Sequence, residues 1–364
     1  MTPRAVPEVM MKQTPKGMFV KPVKKQQWNR KMFMDYLVKH QIEAPLRVIA
    51  VIVAGYFLGL PLCENFIFIS NQRGDGLYQK SFWDFTFLSF YICVFTVMRA
   101  FIMTRILVPL ARWSNVKKKK FDRFAEQGYS FIYYTTSCSF GAYIMYHSPW
   151  WDDTSYYWRD YPVTEYDGLF KYYYLVQFAF WLQQIFVLQI EEPRKDYREL
   201  VLHHINTLLL ISLSYCCNFT RVGNAVFVYM DAPDAILALA KLLNYSVPGI
   251  ICNTAFGTML MVWMYTRVYL YGGVIWSTFT EPDFYVPVFK LDPFEGHWFP
   301  YFVKYIILGL MIGLYLLVLF WTAMIFKVLI RILTDPDASD VRSDNEDDEP
   351  VENEKLSAPV SKQR

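Results

Sequence analysis

The sequence predicts an all-α polytopic membrane protein with about eight transmembrane helices. Three observations carry this. The 364 residues are 54% hydrophobic and 19% aromatic, and only 19% are charged, against about a quarter in an ordinary soluble domain. The apolar residues come in blocks of roughly 20, the length a helix needs to cross hydrocarbon. Their Lys and Arg neighbours also alternate between the two ends of successive blocks.

The blocks fall at about 46–69, 83–108, 124–146, 169–190, 199–217, 222–244, 250–276 and 301–333. The fourth and sixth are the least apolar, and the last is longer than a bilayer requires, which implies tilt or an emerging end. Residues 1–45 are polar, with scattered Lys and Pro and no apolar core of a signal peptide. Lys21, Lys24, Lys25, Arg30 and Lys31 precede the first block, "RWSNVKKKKFDR" follows the second and "EEPRKDYRE" the fourth. With eight crossings these lie on one side, so both termini are expected in the cytosol. The opposite connection "HSPWWDDTSYYWRDYPVTEYDG" is acidic and aromatic. The sequon at Asn218 falls on that far side in a loop too short to favour a glycan, and the sequon at Asn244 falls on the cytosolic side.

From Thr334 the chain becomes acidic and loses its aromatics, so a disordered tail is expected. Ser343, with Glu346 three residues on, suits an acid-directed kinase, although a plain solvated tail is the simpler reading. The net charge of +3 is small and gives no reason to expect a nucleic-acid partner. Cys63, Cys93, Cys138, Cys216, Cys217 and Cys252 lie in or beside apolar blocks without a CxxC pair. They read as small buried hydrophobes.

Four ionisable residues stand out because charge inside a span is costly and faces a cavity or a bundle interior. They are His203 and His204 in the fifth block, and Asp231 and Asp234 in the sixth. His204 lies about 21 Å of helix before Asn218, and Asp231 and Asp234 lie about 15 and 20 Å beyond Arg221. In an antiparallel hairpin the two pairs therefore reach a similar depth. The aspartates share a face at a spacing of three, whereas the adjacent histidines point about 100° apart. Pro233 between the aspartates removes a helix donor and crowds the Tyr229 carbonyl, which opens space or simply kinks the packing.

Several chemistries suit this set. A histidine can accept the proton of an amine nucleophile, a carboxylate can orient it, and the second histidine can steady an oxyanion or take the acyl group itself. A mononuclear His/Asp metal site is a second option. The chain has only five histidines, His40, His147, His203, His204 and His297, too few for the repeated boxes of di-iron hydroxylases. A His–Asp clamp without chemistry is the third. A transporter with proton-relay carboxylates would call for inverted repeats, and no internal repeat is visible.

The run from "YYYLVQF" to "AKLLNY", residues 172–245, resembles the Lag motif of ceramide synthases among TLC-domain proteins. It holds "RKD" at Arg194, Lys195 and Asp196, "HH" at His203 and His204, Thr207, "MDAPD" with Asp231 and Asp234, and Lys241, Asn244 and Tyr245. The wider TLC resemblance covers about 118–333. It divides the chain into a cytosolic segment 1–45, two helices and a basic loop at 46–117, the TLC domain at 118–333 and the tail at 334–364. Met230 before the first aspartate is similar to fungal members, and the homeobox-like insertion of many animal members is missing.

The resemblance implies a helical barrel around a lipid cavity in the endoplasmic reticulum membrane. It implies transfer of a fatty acyl group from acyl-CoA to a sphingoid base, sphinganine or phytosphingosine, with no cofactor beyond that co-substrate and no metal. His203, His204, Asp231 and Asp234 carry the family's catalytic set. Arg194, Lys195, Asp196, Thr207, Lys241, Asn244 and Tyr245 are its expected substrate contacts. Arg194 and Lys195 are placed to attract CoA phosphates, whereas Lys117 to Lys120 read first as a topology signal. In relatives the region 276–300 bears on acyl chain length. The resemblance also allows for a homo- or hetero-dimer and a small single-span regulatory subunit. Its rival is a non-catalytic lipid-binding or translocon-associated TLC protein, which lacks the full HH and DxxD set.

Overall fold

The computed structural model describes residues 39–191, 195–247 and 249–334. The N-terminal cations, Arg194 and the acidic tail with Ser343 lie outside the described residues.

The expected spans are helices, with one break. Residues 46–69 form α1 (Glu43–Phe57) and α2 (Pro61–Ile67) in place of a single rod. Gly59 takes a left-handed φ of 76° and Pro61 opens the second helix, so the chain stops and restarts where the sequence offers both a helix terminator and a helix initiator. Next come α3 (Asp84–Trp113), α4 (Phe121–Tyr146), α5 (Gly168–Ile190), α6 (Tyr197–Cys216) and α7 (Thr220–Ser246). The last two are α8, residues 250–280, and α9 (Tyr301–Thr334). Both α3 and α8 run through a π-helical stretch, Met103–Leu107 and Met264–Leu270. Such insertions rotate the following side chains relative to a regular helix.

Asp84–Trp113 and Tyr301–Thr334 are long and apolar enough to cross a membrane on length and mean hydropathy, at 1.9 and 2.4. Other helices dilute their hydropathy with Gln, Asn, Tyr and charged residues that turn inward. In α5, for example, Gln177, Gln183 and Lys171 are buried.

Six helices pack in a circuit: α4 against α5, α5 against α6, α6 against α9, α9 against α8, α8 against α7, and α7 back against α4. The α4–α7 contact is the most extensive, and α6 and α7 also meet near their shared turn. α3 packs on α5 and also against α1 and α2. Where α3 and α4 approach, a Cβ on Gly128 would lie 2.7 Å from the Leu107 side chain, so the close contact requires glycine there.

The turn from α6 to α7 is tight. Asn218 adopts a φ of 65°. Its amide donates to the Gly296 carbonyl at 2.9 Å and accepts from the Tyr166 hydroxyl at 3.0 Å. This residue is 4% exposed, so the sequon serves the turn. A buried ion pair between Lys171 and Asp84, 2.8 Å, ties α5 to the start of α3, and Tyr215 of α6 donates to the same carboxylate at 2.7 Å.

The acidic, aromatic connection after α4 folds inward. Trp158 and Tyr161 are buried there, and Trp158 donates to Ser277 at 2.8 Å. Phe299, from the segment before α9, stacks edge-on against Phe219 at 4.4 Å. The only strands among the described residues are short antiparallel pairs, β1 (Tyr78–Gln79) with β2 (Glu165–Tyr166) and β3 (Leu291–Asp292) with β4 (His297–Trp298). All four lie in connections between helices.

Candidate active site

Two cavities meet inside this bundle, and their lining side chains differ in kind. One is apolar, with an empty volume of about 790 Å³. Its walls include Leu210, Ile211, Val226 and Leu314, and its lining also takes in Trp158, Phe219 and Phe299 from the turn end. The other is polar, about 1440 Å³, and lies toward the "KKKK" and "RKD" connections. It is lined by Glu126, Glu191, Asp196, Asp234, Lys241 and Arg267, among others. Among the described residues, Trp181, His203 and Met230 line both cavities.

The four costly residues gather at this junction. His203 lines both cavities, His204 and Asp234 line the polar one, and Asp231 and Thr207 line the apolar one. The two imidazole centroids are 5.6 Å apart, nearly perpendicular, as expected of adjacent positions on a helix. The equal depth counted from the turn is thus realised in the packed structure.

The partners of these groups differ from the triad arrangement that spacing suggested. His204 Nδ1 is 2.8 Å from the Leu200 carbonyl, one turn back on α6. A ring nitrogen facing a carbonyl carries the proton, which leaves Nε2 with its lone pair. A backbone carbonyl therefore fixes the tautomer. Asp231, 1% exposed, accepts from Ser137 Oγ at 2.5 Å and from Gln177 Nε2 at 2.9 Å. Gln177 also donates to Ser137 at 2.6 Å and accepts from the Tyr133 hydroxyl. This network belongs to α4, α5 and α7, so the carboxylate is locked by the bundle wall.

Asp234 pairs with Arg267 Nη2 at 2.7 Å, and the same nitrogen donates to the Met230 carbonyl at 2.5 Å. Arg267 sits in the π-helical stretch of α8 over the Trp263 ring. Pro233 lies inside α7 between these contacts. It cannot supply an N–H to the helix ladder, so the Tyr229 carbonyl one turn back loses its helical donor.

The expected substrate contacts divide. Asp196 lines the polar cavity and accepts from Trp321 Nε1 at 3.0 Å, and the Trp321 ring packs 5.4 Å from His203. Lys241 lines the same cavity. Lys195 lies on the short segment before α6, and Arg194 is outside the described residues. Asn244 and Tyr245 are not among the residues lining either cavity. Asn244 is exposed, and Tyr245 packs with Val116 and Phe124 under Lys120. One further turn of helix carries them past the cavity mouth. Among the described residues no group of three or more His, Cys, Asp or Glu is placed to hold a metal ion.

Sequence reasoning missed Trp181, Gln177, Ser137 and Arg267. For Arg267 the signal was present: a guanidinium in the apolar block 250–276 obeys the same rule that selected the aspartates. Gln177 and Ser137 are too common in helices to stand out.

The TLC-domain family matches residues 123–327. The chain is 40% identical over 289 residues to the sphingosine N-acyltransferase lag1 of Schizosaccharomyces pombe, covering 79% of this chain and 74% of that protein. It is 36% identical over 334 residues to the ceramide synthase LAG1 of Saccharomyces cerevisiae, covering 88% and 80%. The similarity extends at 30% identity over 227 residues to ceramide synthase 4 of Bos taurus, covering 62% and 55%.

Proposed function

Because the chain belongs to the TLC-domain family and matches its ceramide synthases over most of its length, we infer that it is a sphingosine N-acyltransferase. It moves a fatty acyl group from acyl-CoA to the amine of a sphingoid base. The observation that carries this reading at the level of residues is the junction itself. A pair of histidines and a pair of aspartates stand where a polar cavity opens onto an apolar one.

Each compartment suits one part of the substrate. The nucleotide of acyl-CoA stays in the polar cavity, where Lys241 supplies positive charge from the wall, and Arg194 and Lys195 are its expected phosphate contacts by sequence. The acyl tail extends into the apolar cavity, and its thioester rests beside His203 and His204. The sphingoid amine enters from lipid. An imidazole of the pair takes the amine proton as the nitrogen attacks, and the protonated ring returns it to the leaving thiolate. Asp231 and Asp234 set the charge around the histidines through the buried network and through Arg267. Asp196 acts through Trp321 on the wall beside His203. Thr207 borders the acyl carbonyl. Asn244 and Tyr245 anchor the end of α7 near the mouth.

The same reading extends to the whole chain. Residues 118–333 are the TLC domain, and its six-helix circuit is the barrel around the lipid cavity. Residues 46–117 add two further crossings, which makes eight. The protein resides in the endoplasmic reticulum membrane with both terminal segments, 1–45 and 334–364, in the cytosol. A dimer and a small single-span subunit are its expected partners there.

The test is direct. Purified protein in detergent, given sphinganine and a panel of acyl-CoAs, forms ceramide. His204→Ala and Asp234→Ala lose the product while remaining folded. Full activity in both variants would remove the site assignment. No ceramide from the unmodified protein, even when co-expressed with a single-span subunit, would overturn the reading. Ceramide formation that a chelator abolishes would bring back a metal-dependent one.

A further inference from the structure

Tryptophan carries one hydrogen-bond donor, and a buried indole ordinarily finds an acceptor for it. Among the described residues, four buried or half-buried indoles do. Trp150 donates to Asn224 at 3.2 Å, Trp158 to Ser277 at 2.8 Å, Trp263 to Thr322 at 2.8 Å and Trp321 to Asp196 at 3.0 Å. Trp181 differs. It is 6% exposed, yet its Nε1 has no partner. Leaving such a donor unmade is costly, so its persistence needs an explanation.

Its position offers one. Trp181 is on α5, one turn after Gln177, and lines both cavities. Its ring lies 5.6 Å from His203 and 5.5 Å from His204, centroid to centroid. Thr207 Oγ1, on the apolar side of the same junction, is also buried without a partner. Two unused donors thus border the place where a thioester would sit between its polar and apolar halves.

We propose that the Trp181 indole N–H donates to the thioester carbonyl oxygen and stabilises the oxyanion formed during acyl transfer. This rests on the acyltransferase reading above. As the amine nitrogen bonds to the carbonyl carbon, the C=O π pair moves onto oxygen, and Trp181 donates to that oxygen. The C=O bond then re-forms, the C–S bond breaks, and the CoA thiolate takes the proton that the histidine removed from the amine. The same oxyanion arises if an imidazole nitrogen attacks first, so Trp181 serves either route. Thr207 supplies the second donor from below.

Trp181→Phe keeps an aromatic ring and removes the donor. A benzothienylalanine at position 181, introduced by nonsense suppression, replaces N–H by sulfur with the bicyclic shape retained. Both are expected to lower kcat about 10²–10³-fold, as removal of one oxyanion donor does elsewhere, with KM for acyl-CoA changed far less. Both should also weaken binding of a ketone analogue of acyl-CoA while leaving a thioether analogue, which lacks the carbonyl, unaffected. A benzothienyl variant with kcat within about threefold of the unmodified protein would overturn the proposal and leave the acyltransferase reading standing. Equal loss of affinity for both analogues would also overturn it, since that marks a packing role. An unmodified protein that makes no ceramide would remove both readings together.

Discussion

The guanidinium of Arg267 lies 2.7 Å from the carboxylate of Asp234, and it reaches across to the Met230 carbonyl on the same helix. One cation from α8 thus bridges residues on either side of Pro233 in α7. The π-helical stretch at Met264–Leu270 sets its approach. The arginine is nearly buried, while the Asp234 carboxylate keeps a quarter of its surface open to the polar cavity.

Breaking this pair should cost both stability and rate. For Arg267→Gln we expect a loss of about 2 kcal/mol, below the figure for a fully buried pair because Asp234 can still be solvated. Arg267→Lys keeps the charge but loses the two-acceptor reach, so it should fall between. Melting in detergent and ceramide formation measure the two effects, and an Arg267→Gln variant indistinguishable from the unmodified protein would show that the bridge has no role.

Asp231 depends on neutral donors, and Gln177 is central to them. Gln177→Leu removes the amide that donates to both Asp231 and Ser137. It should destabilise the protein by about 1–3 kcal/mol, the penalty for stranding buried polar atoms, and slow ceramide formation. Ser137→Ala, which leaves the Gln177 contact in place, should do less. The reverse order in a melting series would contradict this account of the network.

The apolar cavity makes a prediction about chain length. Val226 is among its lining residues. Val226→Trp should shorten the longest acyl-CoA accepted while leaving short-chain turnover close to that of the unmodified protein. A panel of saturated acyl-CoAs reads this directly. Uniform loss across the panel would place the acyl tail elsewhere.

The histidines can be separated by trapping. Protein mixed with acyl-CoA alone, then digested for mass spectrometry, carries an acyl adduct on one imidazole if transfer has two steps. His204 has Nδ1 held by the Leu200 carbonyl, so its other ring nitrogen, Nε2, is the atom to test for either role. An adduct that survives in His204→Ala but vanishes in His203→Ala would assign the nucleophile to His203 and the base to His204.

Asn218 should carry no glycan. Its amide is occupied by Tyr166 and Gly296, so glycosidase treatment should leave the mobility of the protein unchanged. Asn218→Gln should lower its melting temperature, because the longer amide cannot make both contacts from a left-handed backbone.

The sequence by itself determined the helical class, the positions of most helices and the choice of His203, His204, Asp231 and Asp234 as the residues to explain. Each of these follows from local rules: apolar blocks of spanning length, the cost of charge in hydrocarbon, and a count of 1.5 Å per residue from a shared turn. The depth argument that paired His203 and His204 with Asp231 and Asp234 needed only the hairpin. The tertiary structure decided what those residues hold. Spacing suggested a carboxylate for the histidine, but His204 turns to its own helix backbone, Asp231 to Ser137 and Gln177, and Asp234 to Arg267. The partners of the two aspartates stand on α4, α5 and α8, distant in sequence, and only the packing of the helices brings them within hydrogen-bond reach. The break between α1 and α2 has a local cause in Gly59 and Pro61. The two cavities and the unpartnered indole of Trp181 do not, because a cavity and an unfilled hydrogen bond are properties of how surfaces meet.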